Sequence, residues 1–304
     1  MLNDDITRYI ELHRALGFKY HAPDVLLRSF AAFADRRGDE FVRTQTALDW
    51  AVLAPSGAQR RNRLLTVRRF ASAMQSEDEH HQLPPADAFG RESCRRGIRH
   101  IFTPEEITRL LRAAMQLAPK DSIRPATYAT LFGLLAATGL RISEALALAL
   151  DDVTDDGLII RATKFHKDRL VPLHDTTQNA LSRYVKLRAR LGAAESSVFV
   201  GLRGTALPYS TVVTTFLNLA RLVGLRPGPG QPGPRLHDLR HTFAVRSLEQ
   251  CSGGQKTVAR HTVALSTYLG HAHVSDTYWY LQATQTLMRQ IAAAGEHLHI
   301  GEQP

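Results

Sequence analysis

Apolar residues recur at helical spacing through almost the whole chain, and a single stretch alternates as paired strands, so the sequence predicts a mainly helical fold with one small sheet. Asp4 or Asp5 is suited to cap a first helix running to Gly17, with Ile6, Tyr9, Ile10 and Leu16 at helical spacing. Pro23 opens a second helix carrying Val25, Leu26, Phe30 and Phe33 along one side; Thr46 begins a third, and Ala58 to Met74 make a fourth. The stretch from Ser76 to Gly97 is polar, charged and broken by Pro84 and Pro85, which reads as a passage between domains. At 304 residues with 44% hydrophobic and 22% charged side chains, the chain is long enough for two units, each with a core.

A new unit opens at Thr103-Pro104-Glu105-Glu106. Thr is a good N-cap, Pro suits the first helical position, and Glu106 closes a capping box ahead of Ile107, Leu110 and Leu111. A helix over about Pro125 to Thr138 stops at Gly139, and Ser143 is placed to cap another over Glu144 to Leu150. Leu158 to Thr163 and Arg169 to Leu173 flank the polar turn Lys164 to Asp168 as a β-hairpin. Helices resume over about Thr176 to Leu191 and Ser210 to Val223. The Pro/Gly run Arg226 to Pro234 cannot be helix. Helices then return, ending in a short apolar one near Leu287 to Ala294.

A formal charge of +9 and a pI near 9.9 point to a polyanionic partner. The fourth helix concentrates Arg60, Arg61, Arg63, Arg68 and Arg69 around Leu64, Leu65, Val67 and Phe70. It reads either as a core helix with a solvated basic face or as a helix laid along a phosphate backbone. The two cysteines, Cys94 and Cys251, make neither a disulfide framework nor a zinc ligand set, which fits a reducing cytoplasm. The N-terminus lacks an apolar signal core, and no apolar run approaches the ~20 residues needed to span a bilayer. A soluble, cytoplasmic protein without a membrane partner is expected.

Four stretches in the second half carry chemistry: Ala137 to Leu146 (ATGLRISEAL), Ala162 to Leu173 (ATKFHKDRLVPL), Arg235 to Val245 (RLHDLRHTFAV) and Tyr268 to Leu281 (YLGHAHVSDTYWYL). Singly, each has an ordinary explanation: a surface arginine between two helices, solvated turn lysines, a helical His–Arg pair. The His-x-His of His271 and His273 has no Cys or acidic partner at ligand spacing. In this order and spacing, however, G-x-R-x-x-E, then H-x-x-R-H, then Leu-Gly-His271, Thr277 and Tyr280 resemble the tyrosine recombinase (phage integrase) family. The resemblance covers about residues 100 to 290, with a fainter echo in the helical N-terminal half.

The resemblance implies a two-domain, mainly α C-shaped clamp on double-stranded DNA. A helical core-DNA-binding domain would span 1–92, a linker 93–99, and a catalytic domain with a C-terminal docking helix 100–304. Arg141 and Arg240 would clamp the non-bridging phosphate oxygens, and planar guanidinium groups do this through paired, charge-assisted hydrogen bonds. Tyr280 would be the nucleophile, His237 the general base or orienting group, Lys164 the acid on the leaving 5′-oxygen, and His271 a further donor to the scissile phosphate. Lys167 competes with Lys164, and Tyr278 with Tyr280; the family's nine-residue spacing from His271 selects Tyr280. Glu144 matches an acidic position that orients active-site groups, or is simply an acid in a first helical turn. No cofactor or metal is implied, because Arg, Lys and His supply the positive charge.

Family members act on two recombination sites as tetramers, here homotetramers or mixed tetramers with related recombinases, and Leu287 to Ala293 is a candidate docking helix. Between Phe243 and Leu269 the chain is longer than the family's usual stretch. With TYWYL, this resembles recombinases of transposons and integrative elements. A type IB topoisomerase and a catalytically idle DNA-binding protein are the alternatives.

Overall fold

A computed structural model describes residues 2–90, 99–161, 168–192, 195–251, 255–271, 273 and 277. The chain divides into two compact units, Met1–Arg96 and Gly97–Pro304.

The first unit holds four helices: α1 (Leu2–Ala15), α2 (His21–Asp35), α3 (Thr44–Val52) and α4 (Gly57–Met74). Ile6 and Ile10 of α1, Leu27 and Phe30 of α2, Trp50 of α3, and Leu64, Val67 and Phe70 of α4 form its core. Two expectations shift here. The buried face of α2 is Leu27, Phe30, Ala31 and Ala34, leaving Val25 exposed. The third helix begins at Thr44, because Thr46 is an interior residue whose hydroxyl donates to Asp39 Oδ2 at 2.5 Å. The stretch after α4 also differs from a simple passage between domains, since up to Gly90 it folds back on the first core. His81 is buried and accepts from the Val42 backbone N–H; Gln82 N–H donates to Val42 O at 2.8 Å; Leu83 and Phe89 pack on the core. Residues 91–98, with most of the expected linker and Cys94, lie outside the described residues.

The second unit contains α5 (Pro104–Ala114), α6 (Arg124–Thr138), α7 (Ile142–Ala147), β1 (Val153–Thr154), β2 (Gly157–Ile160), β3 (Arg169–Val171), α8 (Asp175–Ala189), α9 (Tyr209–Leu222), α10 (His237–Glu249) and α11 (Gln255–Leu269). The Thr103–Glu106 capping box forms in both directions, with Glu106 N–H to Thr103 Oγ1 at 3.2 Å and Thr103 N–H to Glu106 Oε2 at 2.9 Å. Helix α6 is central, packing on α5, α8 and α10. Phe132 of α6 meets Phe216 of α9 edge-on at 5.5 Å, and Phe102 closes on Phe216 at 6.4 Å.

The expected hairpin is present, antiparallel in the order β1-β2-β3, with Leu158 opposite Val171 and Ile160 opposite Arg169. Strand β1, only two residues long, leaves no periodic trace in the sequence. Within the long stretch before Leu269, Gln255–Leu269 forms α11, which packs back on α10 through Val245, Leu248, Leu265 and Leu269, and His261 Nε2 lies 2.8 Å from Ser247 O. The expected helix near Leu287 to Ala294 lies outside the described residues.

Phe216 is fully buried at the meeting point of three aromatic rings. Phe216→Ala is expected to cost roughly 3–5 kcal/mol, read as a lower urea midpoint of unfolding. A loss under 1 kcal/mol would contradict this packing.

Candidate functional site

The site is assembled where two helices end and two begin. Helix α6 stops at Gly139, which has φ 63° and would place a Cβ 2.5 Å from the Phe243 ring, so only glycine fits the turn. The chain then delivers Arg141 to the N-terminus of α7. Here the Arg141 backbone N–H donates to Glu144 Oε2 at 2.9 Å, so Glu144, rather than Ser143, secures this helix start. Helix α10 begins at His237 and carries Arg240 one turn on, buried against α6. Helix α11 ends at Leu269, and Gly270, at φ 67°, turns the chain into His271.

The last carbonyls of a helix lack partners within it. At the end of α11 three arginines supply them. Arg169 Nε donates to Tyr268 O at 2.9 Å; Arg240 Nη2 and Arg141 Nη1 donate to Leu269 O at 2.8 and 3.4 Å; Arg141 Nη2 donates to Gly270 O at 3.0 Å. Arg240 also donates through Nη1 to Gly139 O at 2.7 Å, linking the ends of α6 and α11. Glu144 ties the group together. Its carboxylate takes Arg169 through Nη1 and Nη2 at 3.1 and 2.8 Å and Arg141 Nη1 at 2.8 Å. Burial pushes this carboxyl up, but the Arg169 hydrogen bond, the Arg141 backbone N–H and the Arg169 charge outweigh it and hold it below the ordinary 4.5.

Arg169 is the residue that motif reading passes over. It stands on β3 two positions before buried Val171, with exposed Leu170 between them, so strand alternation puts it on the inner face. Its guanidinium lies so close over Gly270 that a Cβ there would come within 2.7 Å of Nη1. A charged residue on the buried face of a predicted strand was the available signal.

His237 and His241 meet edge-to-face at 4.7 Å. Burial first, then the Arg240 charge, lowers the pKa of His237, against an opposing pull from Asp238. Burial and His237 bring His241 down to about 4. Both rings are therefore neutral near pH 7, and a neutral imidazole can accept a proton. His271 Nδ1 lies 2.8 Å from Thr277 Oγ1, and its backbone N–H donates to Ser266 O at 3.0 Å.

Of the residues singled out from sequence, Arg141 and Arg240 converge on one turn, His271 directly follows that turn, and His237 lies one turn before Arg240. Lys164 and Tyr280, with their competitors Lys167 and Tyr278, lie outside the described residues. In the first unit, Arg60 Nε donates to Ala54 O, Arg63 Nη1 to Trp50 O, and Arg68 to Pro84 O. The Arg63 guanidinium also covers the Trp50 ring at 4.9 Å. These three hold α4 to its surroundings, whereas Arg61 is half-buried and Arg69 exposed.

Guanidinium groups fixed at helix ends, a neutral histidine and a surplus of positive over negative charge suit an oxyanion such as a phosphodiester. Fold and motifs together define a tyrosine recombinase. Residues 100–286 match the phage integrase family, and the chain belongs to it. It is 39% identical over 296 residues to y4rB of Sinorhizobium fredii, which carries the description integrase/recombinase, across 94% of each protein. It is 30% identical over 270 residues to the tyrosine recombinase XerD of Mycobacterium tuberculosis, across 86% of this chain and 78% of that one. Among solved structures, the Tn1549 transposon integrase in complex with transposon right end DNA gives a TM-score of 0.64 at 16% identity, covering 95% of this chain and 99% of that one. A lambda integrase tetramer bound to a Holliday junction gives 0.62 at 19% identity, covering 90% and 77%. At these identities the structural likeness is one of fold.

The ion group makes a prediction about stability. Glu144 and Arg169 have side chains about 10% and 12% exposed, and breaking such a pair by Arg169→Ala is expected to cost about 3 kcal/mol. Because the folded-state pKa of Glu144 is depressed, its contribution is complete above the ordinary carboxylate value and is lost as pH falls through the folded value. The difference in unfolding free energy between the parent and Glu144→Gln should therefore shrink on acidification below the ordinary carboxylate range. A difference independent of pH would show that the carboxylate charge is not what holds the group.

Proposed function

We propose that the chain cuts and rejoins DNA strands at specific sites through a covalent intermediate on Tyr280. The Tyr280 oxygen attacks the scissile phosphorus, forming a 3′-phosphotyrosyl ester and releasing a 5′-hydroxyl. Lys164 gives its proton to the leaving 5′-oxygen, and His237 accepts the phenol proton or orients the attacked phosphate. Arg141, Arg240 and His271 hold the non-bridging oxygens as charge builds on them. A 5′-hydroxyl from another strand then attacks the ester, displacing Tyr280. Bond energy is conserved in the ester, so no nucleotide is hydrolysed.

The observation that carries this reading is the convergence of Arg141 and Arg240 on the Leu269–Gly270 turn immediately before His271, nine residues before Tyr280. A phenol with an ordinary pKa of ~10 is a weak nucleophile at neutral pH, and the guanidinium field at that turn favours its ionised form. Duplex recombination sites are the substrate, the first unit adds phosphate contacts with Arg61 and Arg69 the best placed for them, and the working assembly is a tetramer of this chain or of this chain with related recombinases. The domain limits 1–92, 93–99 and 100–304 and a docking role for Leu287 to Ala293 belong to the same reading. The likeness to y4rB and to the Tn1549 integrase fold favours mobilisation of a transposon or integrative element. The protein then works in the cytoplasm, on the nucleoid. Among the described residues no helix is long and apolar enough to cross a membrane.

Duplexes selected by binding from a random pool supply a site, and a nicked version of it traps the covalent adduct. Tyr280→Phe should bind this DNA and form no adduct, Tyr278→Phe should still form it, and Arg240→Ala should slow its formation by several orders of magnitude. Adduct formation should survive EDTA. It should fall on acidification only below the ordinary histidine value of 6.5, since the folded-state pKa of His237 lies lower. Cleavage by Tyr280→Phe, or a strict need for Mg²⁺, would contradict the proposal. Relaxation of supercoils with no exchange between two sites would favour the topoisomerase alternative.

A further inference from the structure

Between α9 and α10 the Pro/Gly loop is drawn inward by Arg226. Its Nη1 donates to Gly233 O and Pro234 O at 2.6 and 3.0 Å, and its Nη2 to Gln231 O at 3.0 Å. The loop brings Arg235 and His237 to the edge of a cavity of about 420 Å³ within the second unit. Arg99, Arg226, Arg235 and His237 line one part of it, and Val213, Leu217 and Leu236 line another; no carboxylate is among the lining residues. The Arg99 Nε–H and the Arg226 Nε–H are both buried, and neither has a hydrogen-bond acceptor among the described residues. Buried guanidinium donors of this kind carry a desolvation cost that an arriving acceptor offsets.

From this we infer a second phosphate site: the cavity takes the DNA backbone phosphate neighbouring the one that is cut, with its deoxyribose against Val213, Leu217 and Leu236. The inference rests on the proposed reading of the site as a DNA-cleaving centre. Three arginines outnumber the carboxylate beside them, Asp238, whose Oδ1 lies 3.8 Å from Arg235 Nη2; the net positive charge selects an anion, and planar guanidinium groups match a phosphodiester. The apolar wall excludes a small hydrated ion as the best occupant and suits the sugar joined to the phosphate. His237 borders both this cavity and the Arg240 side of the cutting site, so the two phosphates belong to one strand. The second site holds that strand while the bond beside it opens, which keeps the cut end in place for rejoining.

The test uses the full chain and the nicked duplex that traps the adduct. Each lost phosphate contact should lower the slope of log affinity against log salt by about 0.9. Arg235→Gln and Arg99→Gln should each show this decrease, with roughly tenfold weaker binding at moderate salt. Arg235→Lys, which keeps the charge, should retain the slope. A neutral methylphosphonate placed at single positions beside the cut should weaken binding by the parent at one flanking position, and should have no further effect there on Arg235→Gln. Inorganic phosphate should compete only weakly, because it lacks the sugar. If the adduct forms on Tyr280 but no flanking methylphosphonate matters, or if Arg235→Gln and Arg99→Gln keep the parental slope, the second site is overturned while the cleavage reading stands. If inorganic phosphate displaces DNA as well as a competing duplex does, the site is a general anion site and the inference is likewise overturned. Absence of any adduct with the parent overturns the cleavage reading itself.

Discussion

Three guanidinium groups end one helix, and the site exists because they do. The C-terminal carbonyls of α11 are left without partners by helix geometry, and the helix dipole concentrates negative potential there. Arg169, Arg240 and Arg141 answer both demands at Tyr268, Leu269 and Gly270. They arrive from β3, α10 and the start of α7, so the same contacts that cap α11 fix the relative places of those elements. Arg240 extends the link to the end of α6 through Gly139. A guanidinium has five N–H donors in a rigid plane, so carbonyls that take some of them also fix the orientation of that plane. Preorganisation of the proposed phosphate clamp is thus a by-product of helix capping.

Glu144 sits at the balance point. Two arginines share its carboxylate, so the group keeps a surplus positive charge while both guanidinium groups are tied to one anchor. Loss of Glu144 leaves two like charges close together, and loss of Arg169 leaves Glu144 to pull on Arg141 alone. The neutral state of His237 follows from the same surroundings, since burial and the Arg240 charge both disfavour imidazolium.

Much of this was legible in the sequence where the signal is local. The Thr103–Glu106 capping box, the Gly139 stop, the paired strands around Lys164 and the Pro/Gly loop each rest on chemistry within a few residues, and each appears where expected among the described residues. Arg141, His237, Arg240 and His271 were singled out by their order and spacing along the chain, and Arg141 and Arg240 meet at the turn that precedes His271. What was not legible depends on partners distant in sequence. The inward face of α2, Leu27, Phe30, Ala31 and Ala34, keeps helical spacing, but which apolar side turns inward is decided by its packing on α1, α3 and α4. Arg60, Arg63 and Arg68 read as a basic stripe, yet each reaches a carbonyl on a neighbouring segment. The polar run after Met74 looked like a passage between domains, but His81 and Gln82 bond to Val42 and Thr44. Arg169 was hidden for the same reason: its partners lie 25 and 99 positions away.

The central claim is that this arginine-capped turn presents a phosphodiester to Tyr280. Protease digestion of the adduct trapped on a nicked duplex, followed by mass spectrometry of the peptide–oligonucleotide, reads the attacking residue directly. The account predicts a single adduct on Tyr280, through the 3′-phosphate of the cut strand. Linkage to Tyr278, or through a 5′-phosphate, would contradict it.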